Sequence, residues 1–456
     1  MNRDELQYAK MTQTPVGPLI TSLAIPTIIS MLVTAIYNIG DTYFVSKLGT
    51  SASGAVGIVF SLMAIIQSVG FTIGMGSGAR ISRLLGAQRT DDANAVAASG
   101  FCAAVVLGSL LTVFGVLFLD PLMRVLGATD TILPYARDYA RYILFAAPVM
   151  AASFLLNNIL RAEGKARLAM VGLTSGGILN LLLDPLFIFT FDMGIAGAAI
   201  ATALSQCVSF GILLSWFLAG KTITRPTVAR ISRRPDAYLK ILKNGFPSFC
   251  RQGLASIATI ALNVSAAVYG DAAVAAMSIV GKIFMFVFAI NLGIGQGYMP
   301  VVGYNYGAGQ YGRVKAAFLF TLKVACVLMT ASAIAGFLSA PSLIRFFIET
   351  DADVIRIGTR ALRAICLVMP LIPLGVVCNM TFQSIGKSLT ATFLSTARQG
   401  FFFLPLILIL PRCIGLLGVQ ITQPLADVCT FLLCVPFARR FFRELDAAAP
   451  EQHPSR

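Results

Sequence analysis

The sequence predicts an all-α polytopic membrane protein, with twelve transmembrane helices in two six-helix repeat lobes around a central cavity. Three observations carry this. The chain is 57% hydrophobic and 12% charged, with a mean hydropathy of +0.81, whereas a soluble domain carries about twice that charge. The apolar residues fall into runs of about 20, the length a helix needs to cross the hydrocarbon core. Finally, the second half repeats the first. Pro26 falls on Pro247 at a displacement of 221 residues, and Gly49 then meets Gly270, Gly74 meets Gly295, Gly76 meets Gly297, and Gly86-Ala87 meets Gly307-Ala308. The displacement slips to 222 at Asn157 and Asn379 and at Gly164-Lys165 and Gly386-Lys387, then returns to 221 at Gly194 and Gly415 and at Gly197 and Gly418. Matched glycines imply matched turns and matched close helix contacts.

Residues 1–17 form a polar segment, and the apolar run after it is too long for the core of a cleaved signal peptide. The runs at 18–44, 53–79, 95–119, 135–160, 167–191 and 195–219 make the first lobe, 18–219. Residues 220–239, rich in Arg and Pro, read as an exposed linker with an amphipathic piece. The runs at 240–269, 273–306, 315–338, 355–385, 389–410 and 414–438 make the second lobe, 240–438. The tail 439–456, charged and then Ala/Pro-rich, is expected to be unordered. Six crossings return the chain to the same side, so the lobes are parallel repeats about an axis along the membrane normal, the plan of a transporter that rocks two lobes about a cavity.

The net charge of +15 invites a nucleic-acid reading, but its placement argues otherwise. With both termini inside, the inner loops hold Arg80, Arg83, Arg89, Arg161, Lys165, Arg167, the basic stretch 220–243 and Arg439, Arg440 and Arg443. The outer loops hold only Lys47, Arg124, Arg345 and Arg412. This asymmetry is the positive-inside pattern, and the basic stretch then faces the inner leaflet. The nine cysteines lie in apolar runs without a C-x-x-C pair, and the one histidine, His453, lies in the tail. Histidine-ligated metals, a Ser-His-Asp triad and a membrane-embedded enzyme built on such groups are thereby disfavoured.

Intramembrane acids are costly and are functional candidates. Three lie well inside apolar runs: Asp41, Asp184 and Asp427. Tyr37 precedes Asp41 by one turn and Asn180 precedes Asp184 by one turn, while Thr202 and Gln206 are a turn apart on the sixth helix. Such i, i+4 pairs share a helix face, so three helices of lobe one present oxygen-rich faces. In the repeat, Asp41 maps to Leu262, Asp184 to Leu406 and Asn180 to Phe402. The scaffold is duplicated and the acids are not, as expected of a specialised cation site: Asp41, Asp184, Tyr37, Asn180 and Thr202. A carboxylate in low dielectric either takes up a proton or pairs with a cation, so H+ and Na+ both remain open as the coupling ion. Asp427 stands alone on the last helix. Arg251, Lys282, Lys323 and Arg398 lie within lobe-two helices, either snorkelling or paired, or lining a cavity. Asn157, Gln206, Arg251, Gln252 and Lys282 are the candidate substrate-cavity residues.

Several stretches resemble the multidrug and toxic compound extrusion (MATE) transporters. They are Tyr37-Asn38-Ile39-Gly40-Asp41-Thr42, Ile81-Ser82-Arg83-Leu84-Leu85-Gly86-Ala87, Arg161-Ala162-Glu163-Gly164-Lys165, Asn180-Leu181-Leu182-Leu183-Asp184-Pro185, Gly194-Ile195-Ala196-Gly197-Ala198-Ala199, and Gly295-Gln296-Gly297-Tyr298-Met299-Pro300 through Gly303-Tyr304-Asn305-Tyr306-Gly307-Ala308. The resemblance is nearest the prokaryotic branch with DinF-like and MepA-like members, whose cation site Tyr37, Asp41, Asn180, Asp184 and Thr202 match. The NorM-like branch carries acids on helices 7 and 10 that are missing here. The resemblance implies an H+- or Na+-coupled antiporter exporting drugs and dyes by alternating access from a prokaryotic inner membrane, with both termini cytoplasmic. It implies no cofactor, a monomer among membrane lipids, and no nucleic-acid partner. A lipid-precursor or oligosaccharide flippase on a related two-lobe scaffold is the alternative.

Overall fold

Residues 3–348 and 351–448 are described by a computed structural model, and among them there is no β-strand. A short helix, α1 (Arg3–Gln13), precedes the first lobe. That lobe comprises α2 (Val16–Ser46), α3 (Thr50–Gly86), α4 (Thr90–Leu117), the short α5 (Leu119–Val125), α6 (Leu133–Ala162), α7 (Ala166–Pro185) and α8 (Gly194–Leu218). The second comprises α9 (Pro235–Ala267), α10 (Asp271–Gly307), α11 (Tyr311–Phe347), α12 (Ala352–Val368), α13 (Ile372–Ile385), α14 (Ser388–Thr396), α15 (Leu404–Ile414) and α16 (Leu416–Ala448). The tenth expected span is α12 with α13, and the eleventh is α14 with α15. A π-helical segment, Ala397–Phe403, links α14 to α15, and another, Leu186–Thr190, follows Pro185. Such widened turns are frequent at functional sites.

Eleven segments are long and apolar enough to cross a membrane among the described residues. The exception to the expected twelve is α9, whose 33 residues include Lys240, Lys243, Asn244, Arg251 and Gln252. Its length and position nevertheless match α2, Pro247 standing where Pro26 stands. The tail also differs from expectation: α16 runs on to Ala448, with Phe441 and Leu445 buried. Ala438, Phe441 and Leu445 recur at helical spacing, so one face packs onto the lobe. Residues 449–456, with His453, lie outside the described residues.

The repeat is visible in the backbone. Gly164 and Gly386 both hold positive φ, +76° and +86°, at the turns that follow α6 and α13, where a side chain would be strained. Between lobes, α2 packs on α10 and α3 on α9, as a twofold relation of the repeats requires. Contact is closest at the end of the bundle where the chain begins. There the Cβ that Gly76 lacks would collide with the carbonyl of Ile241, and that of Gly297 with the backbone of Ala24. One apolar core runs through both lobes at this end, from Leu19, Ile73 and Ile159 to Ile241, Val301, Phe318 and Phe382. Toward the other end it divides. One branch stays in lobe one (Val59, Ile66, Tyr139, Ile143, Ala198) and the other in lobe two (Ala258, Met277, Ile365, Phe403, Val419). The lobes are therefore joined at one end and separate at the other.

Side chains pin the joined end. Arg161 of α6 donates to Gln296 of α10. Gln7 of α1 donates to the Glu163 carbonyl (2.8 Å), while Asn305 and Arg313 of lobe two donate to the carbonyls of Met11 (3.1 Å) and Thr14 (2.7 Å). The linker is not free either. The buried carboxylate of Glu163 accepts from the backbone N–H groups of Ile223 and Thr224, each at 2.8 Å, and Asn94 accepts from Arg225 N–H at 2.6 Å. Thus Arg161-Ala162-Glu163-Gly164-Lys165 ties lobe one to the inter-lobe linker.

Candidate functional site

The oxygen-rich faces of α2, α7 and α8 do converge, joined by α6. Asn180 sits at the centre. Its amide donates to Asp184 Oδ1 at 3.1 Å and to Thr202 Oγ1 at 3.2 Å. Asn180, Asp184 and Thr202 are buried, and Asp41 is half-buried. Tyr37 is buried beside Gly177 of α7, where a larger residue would collide with its ring. The fourth helix supplies a residue the sequence reading missed. Tyr139, fully buried on α6, donates to Asp41 Oδ2 at 3.3 Å. Nothing local distinguished it from Tyr135 and Tyr142 on the same helix; only the packing of α6 against α8 brings it in.

Three oxygens in this cluster are buried without a hydrogen-bond partner: Asp41 Oδ1, Asn180 Oδ1 and Asp184 Oδ2. All can accept. Asp41 and Asp184 lie within electrostatic reach of each other, and no basic side chain contributes to the field at either. Buried acceptors left open cost on the order of 1–3 kcal/mol each, and paired carboxylates repel. A proton or a small hard cation relieves both penalties, so the donor set fits either. Among the described residues no three His, Cys, Asp or Glu side chains converge as metal ligands, so a Na+ here would rest on two carboxylates and neutral oxygens.

The candidate cavity residues are dispersed. Gln206 is half-buried one turn beyond Thr202 but makes no side-chain hydrogen bond to the cluster. Asn157 is buried, and its amide donates to the Ala169 carbonyl at 2.8 Å, as its repeat Asn379 donates to Ala391 at 2.7 Å. Both bonds tie consecutive helices together. Lys282 is exposed on α10 and lies outside the cavity that contains Arg251.

Arg251 and Gln252 do line a cavity, of about 120 Å³ and partly open, inside lobe two. Its wall includes Phe288, Asn379, Arg398, Asp427 and Phe431. Asp427 is not alone. Arg398 Nε bonds its Oδ1 at 2.6 Å, and Gln423 donates to the same oxygen at 3.0 Å. The Arg398 guanidinium also lies 4.9 Å from the Phe288 ring centre.

Against known families, the MatE model matches residues 26–186 and again 247–409, one match in each lobe. The chain belongs to the MatE family. MatE proteins are transporters, not enzymes, and with its many apolar helices this one is a multi-pass membrane protein. It is similar to the multidrug export protein MepA of Staphylococcus aureus, with 27% identity over 420 residues and 92% of each chain covered. The MepA of Staphylococcus haemolyticus is 28% identical over 415 residues, with 90% of each chain covered. Among solved structures, the outward-facing conformation of a multidrug resistance MATE transporter of the MOP superfamily superposes with a TM-score of 0.92 at 28% identity, covering 98% of this chain and 99% of that one. A MOP superfamily transporter from Pyrococcus furiosus gives 0.90 at 28% identity, covering 96% and 98%.

Proposed function

We propose that this MatE protein is a multidrug efflux antiporter of a prokaryotic inner membrane, exporting diverse organic compounds in exchange for H+ or Na+. The convergence of Asp41 and Asp184 with open acceptor oxygens, at the separated end of the bundle, carries the reading. With the termini in the cytoplasm, the described conformation opens outward. A cation entering from outside reaches half-buried Asp41 first and buried Asp184 next. Relief of the carboxylate repulsion stabilises the loaded lobe. One charge moving down the membrane potential supplies about 2.3 kcal/mol per 100 mV, which drives export of the larger substrate. The MepA relatives, named for multidrug export, support the substrate class.

The flippase reading rests on cations in lobe two. Lys282 is exposed and Arg398 is paired with Asp427, which leaves Arg251 and weakens that alternative. Dye uptake into inverted vesicles under an imposed ΔpH or ΔNa+ tests the proposal. Uptake driven by one gradient supports it and names the ion; no uptake under either, with lipid flipping instead, defeats it. For topology, a cysteine at position 230 in a cysteine-free background should resist an impermeant reagent in intact cells, and labelling there would reverse the orientation.

A further inference from the structure

The lobe-two cavity carries one positive charge that the protein does not compensate. Asp427 neutralises Arg398. Arg251 is half-buried, and its one side-chain hydrogen bond is a long one, 3.4 Å from Nη1 to Asn379 Oδ1. Asn379 is held for this contact by its bond to the Ala391 carbonyl, so the acceptor facing Arg251 is fixed and neutral. The rest of the guanidinium fork is unused at the wall of a partly open cavity whose volume, about 120 Å³, suits a single aromatic ring. A guanidinium presents paired donors at the spacing of a carboxylate or phosphate. The other walls are apolar and aromatic: Leu292, Val376, Phe288 and Phe431. At the repeat position, lobe one has Ser30, whose hydroxyl is bonded to the Pro26 carbonyl of its own helix. The charge therefore belongs to lobe two alone.

We infer that this cavity is a substrate subsite for aromatic monoanions, with Arg251 holding the carboxylate and Phe288 and Phe431 flanking the ring. One free guanidinium matches one negative charge; a dianion would leave a charge uncompensated. The inference rests on the efflux reading above and deepens it, because it adds compounds bearing a carboxylate to the substrates of a transporter whose other lobe handles cations.

The test compares anthranilate, a fluorescent single-ring monoanion, with its neutral methyl ester, which share the ring and differ in the carboxylate. Binding of each to the full-length protein in phosphatidylcholine nanodiscs is followed by fluorescence polarisation. Losing a charge-assisted bidentate contact corresponds to about ten- to a hundredfold in affinity. Arg251→Gln should weaken the acid by that factor and leave the ester within about twofold, while Arg251→Lys restores part of the acid's affinity. Equal loss of both compounds, or loss of neither, overturns the inference. So does abolition of acid binding by added phosphatidylglycerol, which would assign the guanidinium to a lipid phosphate. Wild-type transport of the cationic dye rhodamine 6G separates the two readings. Rhodamine 6G exported without anthranilate binding defeats the subsite alone, whereas a failure to export rhodamine 6G defeats the efflux proposal.

Discussion

In lobe one, Thr202 and Gln206 stand one turn apart on α8; in lobe two, 221 residues on, Gln423 and Asp427 stand one turn apart on α16. The stations are the same and the chemistry is opposite. Around Thr202 are two carboxylates without a basic partner and several open oxygens. Around Gln423 the one carboxylate is taken by Arg398, and Arg251 adds a second cation. At the displacements given above, Tyr37 and Asp41 become Ala258 and Leu262, and Asn180 and Asp184 become Phe402 and Leu406. Duplication preserved the turns, the prolines and the inter-helix amides, while the polar interiors diverged. A buried charge must be answered by something. Lobe two answers its acid with its own arginine; lobe one has no such partner, and on the proposed function a mobile ion takes that place.

The sharpest way to break this contrast is to remove one acid from each lobe. Asp184→Asn keeps shape and hydrogen bonding but cannot neutralise a cation. At 100 mV, loss of one transported charge removes about 2.3 kcal/mol of driving, roughly fiftyfold in the dye gradient sustained by vesicles. Expression and thermal midpoint should stay near normal; wild-type pumping by this variant would dismiss lobe one as the coupling site. The double variant of Asp41→Asn with Asp184→Asn should be little worse than either single change, because residues acting as a unit are non-additive. Initial rates across a pH series that simply multiply would separate the two acids.

Asp427→Asn should behave differently. It strands Arg398 beside Phe288 and costs about 3–5 kcal/mol of stability, read as a lower unfolding midpoint, while the ion dependence of the residual efflux stays unchanged. An altered ion dependence would move part of the coupling into lobe two. A third pair probes what the lobes share. Asn157→Ala and Asn379→Ala each remove one amide-to-carbonyl bond between consecutive helices, and each should cost up to about 1.5 kcal/mol; an inequality in thermal unfolding larger than the long Arg251 contact to Asn379 accounts for would show that the scaffold has diverged too. The smallest effect is expected for Tyr139→Phe. It removes about 1 kcal/mol of hydrogen bonding from Asp41, so the carboxylate holds a cation more tightly and half-saturation of efflux falls about fivefold. An unchanged half-saturation would make Tyr139 packing alone.

What was legible in the sequence follows from range. Hydropathy runs, matched glycines and the i, i+4 polar pairs are local or periodic signals, and they located the helices, the repeat and five members of the cluster. Tyr139 was illegible because its role depends on which turn of α6 meets α8, and a tyrosine on an apolar helix carries no mark of that. The bond made by Asn157 was not legible because an amide in a helix looks alike whether it faces a cavity, ties one helix to the next or, as its repeat Asn379 does, both. The pairing of Arg398 with Asp427 spans 29 residues and uses a π-helical turn that hydropathy does not reveal. The extension of α16 was readable in the spacing of Ala438, Phe441 and Leu445, which the surrounding charge obscured.

The joined end has an electrical consequence. At Gly76 and Gly297 main chain lies against neighbouring helices, and the shared apolar core fills the space around them. Such a layer is an insulator, while the split end admits solvent and its ions. The potential across a membrane falls mainly through its driest part. On the proposed orientation and coupling, with the split end facing outward, an ion arriving at Asp41 would have crossed little of the field. The electrical work is then done chiefly when the insulating layer moves to the other side of the bound ion. Charge displacement should therefore accompany the change of conformation rather than ion binding. Fast current recordings on supported membranes would show a binding step nearly silent in charge; a large current with the lobes locked at the joined end would place the insulation elsewhere.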